Sequence, residues 1–264
     1  MTLSLVAADP ATGEVGVVIT SSSPAVAARC AHVRAGVGAV ATQNVTDPRL
    51  GPELLDRLEA GASPEEALQA LIAEQPPELI AFRQLTAVTP DGHTAIFSGD
   101  HALGVVGEHQ GNAVVSAGNL LAAASVPMIA AAAFETAQGP LAARLMAGLN
   151  AGIAAGGEAG PVHSAGLLVA RDVAWAVTDL RVDWADEDPV GELTALWERW
   201  EPELEGYVTR ALRPGAAPSF GVPGDEYAPG RRRSRRGASP ADSRLAMATD
   251  ESRVRFLLEL HHRR

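Results

Sequence analysis

Thr2 stands directly behind the initiator methionine. Threonine is small enough for that methionine to be removed, which would leave a hydroxyl and a free α-amine on one residue. An α-amine has a pKa of about 7.7–8.0, so a useful fraction is neutral near pH 7 and can take the proton of its own hydroxyl. The pair needs no histidine and no aspartate. The plainer reading is that many chains begin Met-Thr and that threonine suits a strand. A nucleophile also needs donors for a developing oxyanion. Asn119, in SAGNLLA, and Gln43 and Asn44, which close AGVGAVATQ, carry amides at strand ends; the alternatives are a turn cap for Asn119 and a polar strand terminus for the other two. Ser21, Ser22 and Ser23 end the second strand of the opening hairpin. Ser4 shares Thr2's strand face by the two-residue period, but it lacks the amine.

Other chemistries find less. All 21 basic residues are arginine, so Schiff-base chemistry and a lysine general base are excluded. Cys30 is the one cysteine; it lies among alanines and reads as a buried thiol, and no internal disulfide can form. The seven histidines show no metal-ligand spacing, and His163 reads as a solvated loop residue. The glycine-rich stretches match neither the dinucleotide nor the P-loop pattern, so no cofactor and no metal are expected. Asp179, Arg181 and Asp183 alternate with apolar residues and read as a salt-bridged strand edge.

The net charge of −11 is uneven. Residues 225–264 hold ten arginines against six acids, or +4, so the rest of the chain carries −15. An acidic body argues against nucleic-acid binding, and the RRRSRR run reads as a solvated, disordered tail. The first residues lack the basic and apolar regions of a secretory signal, and no apolar run is long enough to span a bilayer. A cytoplasmic protein with no membrane partner is expected.

The elements that must position Thr2 follow from pattern. Strands are expected at 3–8 and 15–20 around DPATGE, then at 35–43. Helices follow at 50–60 and at 64–74. The second of these is marked by Ser63, Pro64 and the first-turn acids Glu65 and Glu66. Strands at 84–89 and 94–98 flank Pro90-Asp91-Gly92, and another is expected at 113–117. Helices at 126–137 and 141–154 and strands at 164–170 and 174–180 complete the run. Paired helices between antiparallel strand groups suit two face-to-face sheets with helices outside, with a two-layer α+β domain as the alternative. Helices at 192–200 and 203–212 follow, broken at Pro202.

Four segments look familiar together. MTLSLVAADPATGEVGV, RAGVGAVATQNVTDPRLGPELL, SAGNLLA and DLRVDW…DPVGEL resemble one prokaryotic family, domain of unknown function 1028, over about residues 2–195. Structural classifications place that family with the N-terminal-nucleophile (Ntn) hydrolases. The resemblance implies an α+β, four-layer αββα sandwich over residues 1–187. Residues 188–224 resemble a small helical, peptidoglycan-binding-like extension, and 225–264 would be the tail. The resemblance implies no substrate. Proteasome-type threonine enzymes of this superfamily use a lysine that this chain lacks, leaving Arg29 or Arg34 to supply a positive charge.

The expected function is an amidohydrolase: Thr2 as nucleophile, Asn119 and Gln43 assisting, and Ser21, Ser22, Asn44 and Arg34 lining the site. The substrate would be a small-molecule or short-peptide amide. The rival is an inactive Ntn-type module that binds a ligand or a cell-wall fragment, with Trp197 and Trp200 stacking on sugars, though their three-residue spacing also fits a buried helix face. Sheet layers rich in alanine and valine leave room for a homo-oligomer.

Overall fold

A computed structural model describes residues 2–222; the Arg-rich segment 225–264 lies outside the described residues. The chain opens with a hairpin, β1 (Thr2–Asp9) and β2 (Glu14–Ser21), whose turn is closed by Asp9 accepting the backbone N–H groups of Ala11, Thr12 and Gly13. A short helix α1 (Val26–Cys30) leads to β3 (Ala31–Arg34) and β4 (Gly38–Asn44). Helices α2 (Leu50–Glu59), α3 (Pro64–Glu74) and α4 (Pro77–Ile80) precede β5 (Arg83–Val88) and β6 (Thr94–Ser98). Strands β7 (Gly107–Gly111) and β8 (Val114–Asn119) are followed by α5 (Val126–Thr136) and α6 (Leu141–Ala154). Strands β9 (Ser164–Ala170) and β10 (Ala176–Val182) precede α7 (Pro189–Trp200) and α8 (Leu204–Leu212).

The strands form two antiparallel sheets, one in the order β10-β9-β2-β1-β8-β7 and one in the order β3-β4-β5-β6. The pleat assigns the faces. Leu3, Leu5 and Ala7 of β1 pack against Phe134, Leu145 and Leu149 of α5 and α6. Val6 and Ala8, on the opposite face, pack with Val15, Val17, Ile19, Ala39, Ala41 and Val88 between the sheets. Val40, Leu85 and Ala87 turn outward onto Leu54, Leu68 and Leu71 of α2 and α3. The layers are therefore helix, sheet, sheet, helix, as expected. Alanine and valine dominate the inter-sheet layer, and their small side chains let the sheets approach closely.

Capping is as the sequence spells it. The Ser63 hydroxyl accepts the Glu66 N–H while the Glu66 carboxylate accepts the Ser63 N–H. Arg181 makes a two-point ion pair with Asp179 on the edge strand β10, at 2.7 and 3.0 Å. Cys30 is buried, with its thiol 3.4 Å from the Thr46 hydroxyl; burial raises its pKa, as for an inert thiol.

Three elements depart from expectation. The segment 35–43 begins as a turn and becomes a strand only at Gly38, because β3 precedes it and the two pair as a hairpin. Strand β7, GEHQG, was not expected; it lacks β-branched residues and gains its order as an edge partner of β8. Helix α7, expected to open a separate extension, starts at Pro189 under Asp188 as N-cap and packs Val190, Leu193 and Trp197 into the core beneath the larger sheet. The first compact unit runs through Val208, and a second begins at Thr209. No described helix is long and apolar enough to cross a membrane.

Candidate active site

One end of the sandwich gathers the polar strand termini. Thr2 is the first residue of β1 and lies opposite Asn119, the last residue of β8. Its parity with Val6 and Ala8 turns it toward the second sheet. On the facing sheet, Gln43 has the parity of Ala39 and Ala41, and Gln84 and Thr86 have that of Val88. Thr2, Ser4, Gln43, Gln84, Thr86 and Asn119 are all buried. An apolar interlayer thus becomes polar over its last few residues.

Gln84 organises this patch. Its Nε2 donates to the Ser98 hydroxyl at 2.8 Å and, across the sheets, to the Gly118 carbonyl at 3.2 Å. Its Oε1 accepts from Gln43 Nε2 at 2.7 Å and from Asn119 Nδ2 at 3.1 Å. Gln43 Nε2 also donates to the Ala117 carbonyl at 3.2 Å. A carbonyl only accepts, so these contacts fix which end of each amide is nitrogen. The consequence for Gln43 is a correction: both its N–H groups are committed, so it has none for an oxyanion. Asn119 keeps one. Gln43 Oε1, Asn119 Oδ1, Ser4 Oγ and Thr86 Oγ1 are buried with no hydrogen-bond partner among the described residues. Buried acceptors and hydroxyls are ordinarily satisfied, so four without a partner among the described residues set this end of the interlayer apart from the apolar remainder.

Replacing Gln84 by leucine removes one acceptor shared by two amides and strands both. We expect a loss of about 2–4 kcal/mol, read as a shift of the urea midpoint at unchanged slope. A change below about 0.5 kcal/mol would show the amides to be satisfied another way.

The second side of Thr2 is a hydroxyl relay. The Thr2 hydroxyl approaches Ser21 Oγ at 3.5 Å; Ser21 Oγ and Ser23 Oγ lie 2.9 Å apart; Arg29 Nη2 donates to Ser23 Oγ at 3.0 Å. Arg29 also donates to the Pro24 and Ala25 carbonyls. The turn is held by Ser164 of β9, whose hydroxyl donates to Ser23 O at 2.6 Å and accepts from Val26 N at 3.2 Å. The positive charge nearest the relay is therefore Arg29. Arg34, expected to line the site, lies elsewhere: it pairs with Asp56 and Glu59 at 2.8 and 2.7 Å, on the face of α2. Asn44 is also diverted. At φ 71° it donates to the Phe82 carbonyl and accepts from Leu103 N, clamping two loops. Ser22 contributes its backbone N–H, to Glu158.

Glu158 is the residue sequence reasoning missed, because GGEAGP reads as a loop. Its backbone pairs with Leu121, just past β8, and its Oε2 accepts the Ser22 N–H at 3.3 Å. Only 6% of it is exposed, and Oε1 has no hydrogen-bond partner among the described residues. Burial raises its pKa to about 8, against the opposing pull of the chain's N-terminal positive charge and the bond from Ser22. His163, expected in solvent, stacks on Trp184 at 4.4 Å and is held by Ala185 O, with its backbone N–H on Ser21 O.

Three of the four positive-φ non-glycine residues described, Ala25, Asn44 and Leu120, lie just past Ser23, Gln43 and Asn119. Such backbone costs of order 1 kcal/mol or more each and persists where surrounding structure holds it. A surface cleft of about 770 Å³ lies at the far end of the smaller sheet, beside Val37, Ser63, Asp91 and His93. The Ser63 hydroxyl there is committed to its helix cap and the Thr89 hydroxyl donates to Asp91.

Comparison with known proteins agrees with this architecture. A solved structure of a protein from Silicibacter pomeroyi, described as belonging to DUF1028, is similar at 28% identity and a TM-score of 0.69, covering 75% of this chain and 88% of that one. Anbu, described as an ancestral beta-subunit, from Yersinia bercovieri aligns over 78% of this chain and 97% of that one. Its identity of 10% and TM-score of 0.34 are too low to carry an argument. No curated protein matches. The model of the family of unknown function DUF1028 matches residues 2–193, most of the chain and every residue of the polar cluster described above, and the chain belongs to that family.

Proposed function

We propose that the protein is an Ntn-type amidohydrolase, with Thr2, made terminal by removal of Met1, attacking the carbonyl carbon of a small-molecule or short-peptide amide. The observation that carries this reading is the position of Thr2. It starts the central strand of the larger sheet, faces the inter-sheet patch of unpartnered polar atoms, and has a serine relay ending on Arg29 at its side.

The chemistry follows from the residues. The neutral α-amine takes the hydroxyl proton as Thr2 Oγ1 bonds to the acyl carbon. The remaining N–H of Asn119 lies on the neighbouring strand, suited to a developing oxyanion. The proton passes to the leaving nitrogen as the C–N bond breaks, and water then hydrolyses the ester to release the acid and Thr2. Arg29, through Ser23 and Ser21, takes the place of the absent lysine by favouring negative charge on Thr2 Oγ1. A sugar-binding role for the tryptophans gains no support. Trp197 is buried, and Trp200 donates to Val177 O and stacks on Tyr207, so both rings fasten α7.

The test is an intact mass of the native-terminus protein before and after a β-lactone probe. Loss of Met1 and one adduct mapped to Thr2 are expected. Retention of Met1, or a terminal Thr2 that never labels, would move the reading to a binding module.

A further inference from the structure

We propose that the Glu158 carboxyl seats the α-amine of the mature Thr2 terminus and exchanges a proton with it. This rests on the reading of Thr2 as the terminal residue. The placement comes from three constraints. Strand β1 lies between β2 and β8, and Thr2, at its tip, is opposite Asn119. The backbone of Glu158 is bridged to Leu121, two residues beyond Asn119 on the β8 side. Its Oε2 accepts the N–H of Ser22, just past the end of β2. The side chain therefore reaches from the exit of one flanking strand to the exit of the other, across the tip of β1.

The second observation is the state of its other oxygen. Oε1 is buried and has no hydrogen-bond partner among the described residues, as is true of Asn119 Oδ1 on the same side of Thr2. Both are acceptors. An ammonium offers three N–H donors, and a terminal Thr2 would present one there. The Arg29 guanidinium is held by Ser23, Pro24 and Ala25, and the His163 ring by Ala185 and Trp184. The one positive charge that opposes the effect of burial on Glu158 is the chain's α-amine, carried by Met1 before its removal and by Thr2 after it; burial raises the carboxyl's pKa to about 8, the range of an α-amine.

Matched proton affinities give the carboxyl its use. Once the pair has released one of its two protons to solvent, the one that remains moves from the ammonium to Glu158 Oε1, leaving a neutral amine beside a neutral acid. The amine lone pair then takes the Thr2 hydroxyl proton as Oγ1 bonds to the acyl carbon. That proton goes to the leaving nitrogen when the C–N bond breaks. Glu158 returns its own proton to the amine at the end of the cycle. Glu158 is thus a positioning and proton-storing residue and does not touch the substrate.

The test reads the amine itself and needs no turnover. Full-length protein with Thr2 at its terminus, freed by cleavage of an N-terminal fusion, is acetylated with limiting acetic anhydride from pH 6 to pH 11. The α-amine adduct is quantified by peptide mass. In the wild type, part or all of the amine's titration should lie about one pH unit or more above that of Glu158→Gln. There the coupling to a carboxylate is gone and a single one-proton curve remains. Glu158→Asp, which keeps the charge, should retain a raised limb and covers the case in which the glutamine variant folds poorly. Superimposable curves for wild type and a folded variant would overturn the proposal. If the raised limb is present but no β-lactone labels Thr2, the seat for the amine stands and the amidohydrolase reading fails.

Discussion

Thr2→Ala is expected to abolish labelling by the β-lactone and any amide turnover, a loss of roughly a thousandfold or more, while leaving the fold in place. Alanine is also small, so Met1 should still be removed and the variant should keep a free α-amine at the same position. The comparison therefore isolates the hydroxyl. Structural loss should be slight: the strand is held by its backbone ladder to β2 and β8, which the substitution leaves intact. A shift in thermal midpoint of no more than a few degrees is expected. Thr2→Ser should retain reactivity, since it keeps both hydroxyl and amine. Unchanged turnover in Thr2→Ala would end the nucleophile reading whatever the terminus does.

The parts of this picture that sequence made legible are those in which local chemistry and tertiary environment agree. Ser63, Pro64 and Glu66 spell a capped helix, and the helix is there. Pro90-Asp91-Gly92 spells a hairpin between β5 and β6, and the strands pair across it. The two-residue period put Ser4 on Thr2's face, which core packing bears out. What escaped notice depends on distant partners. Strand β7 has no propensity of its own and is ordered by β8. Arg29 and Arg34 are five residues apart, and nothing local tells one from the other. The first is turned onto Ser23 by the Ser21–Ala25 turn, while the second meets Asp56 and Glu59 of α2.

The site divides in the same way. Asn119, Gln43 and Ser21 announce themselves as polar ends of apolar strands, and the fold brings them to one end of the sandwich. Gln84 was passed over as a polar residue at the start of a strand. Its importance lies in receiving two amides from two different sheets. That arrangement also reverses the expected role of Gln43, from donor to bearer of an unpartnered acceptor. Glu158 was hidden by its glycines. Gly156 and Gly157 both have positive φ, and they carry the chain back so that Glu158 bridges to Leu121. Motif reading treats such a stretch as a linker, although here it delivers a buried carboxyl.

That carboxyl should govern how stability depends on pH. Its folded-state pKa is about 8, against an ordinary value of 4.5. A raised carboxyl pKa means that the folded state holds a proton the unfolded state has already released. The contribution is therefore fully present below about pH 4.5 and is withdrawn as pH rises through the folded value near 8. Relative to Glu158→Gln, which cannot ionise, the wild type should lose up to about 1.4 kcal/mol per pH unit across that window, on the order of 4 kcal/mol in all. Urea denaturation of both proteins at pH 5, 6.5 and 8 measures the difference, and groups not coupled to Glu158 cancel. The variant should gain on the wild type at each step. A constant difference would mean that water or the terminal ammonium already keeps Glu158 ionised at pH 5. A seat for the amine would then work as a fixed ion pair, with no proton stored on the carboxyl.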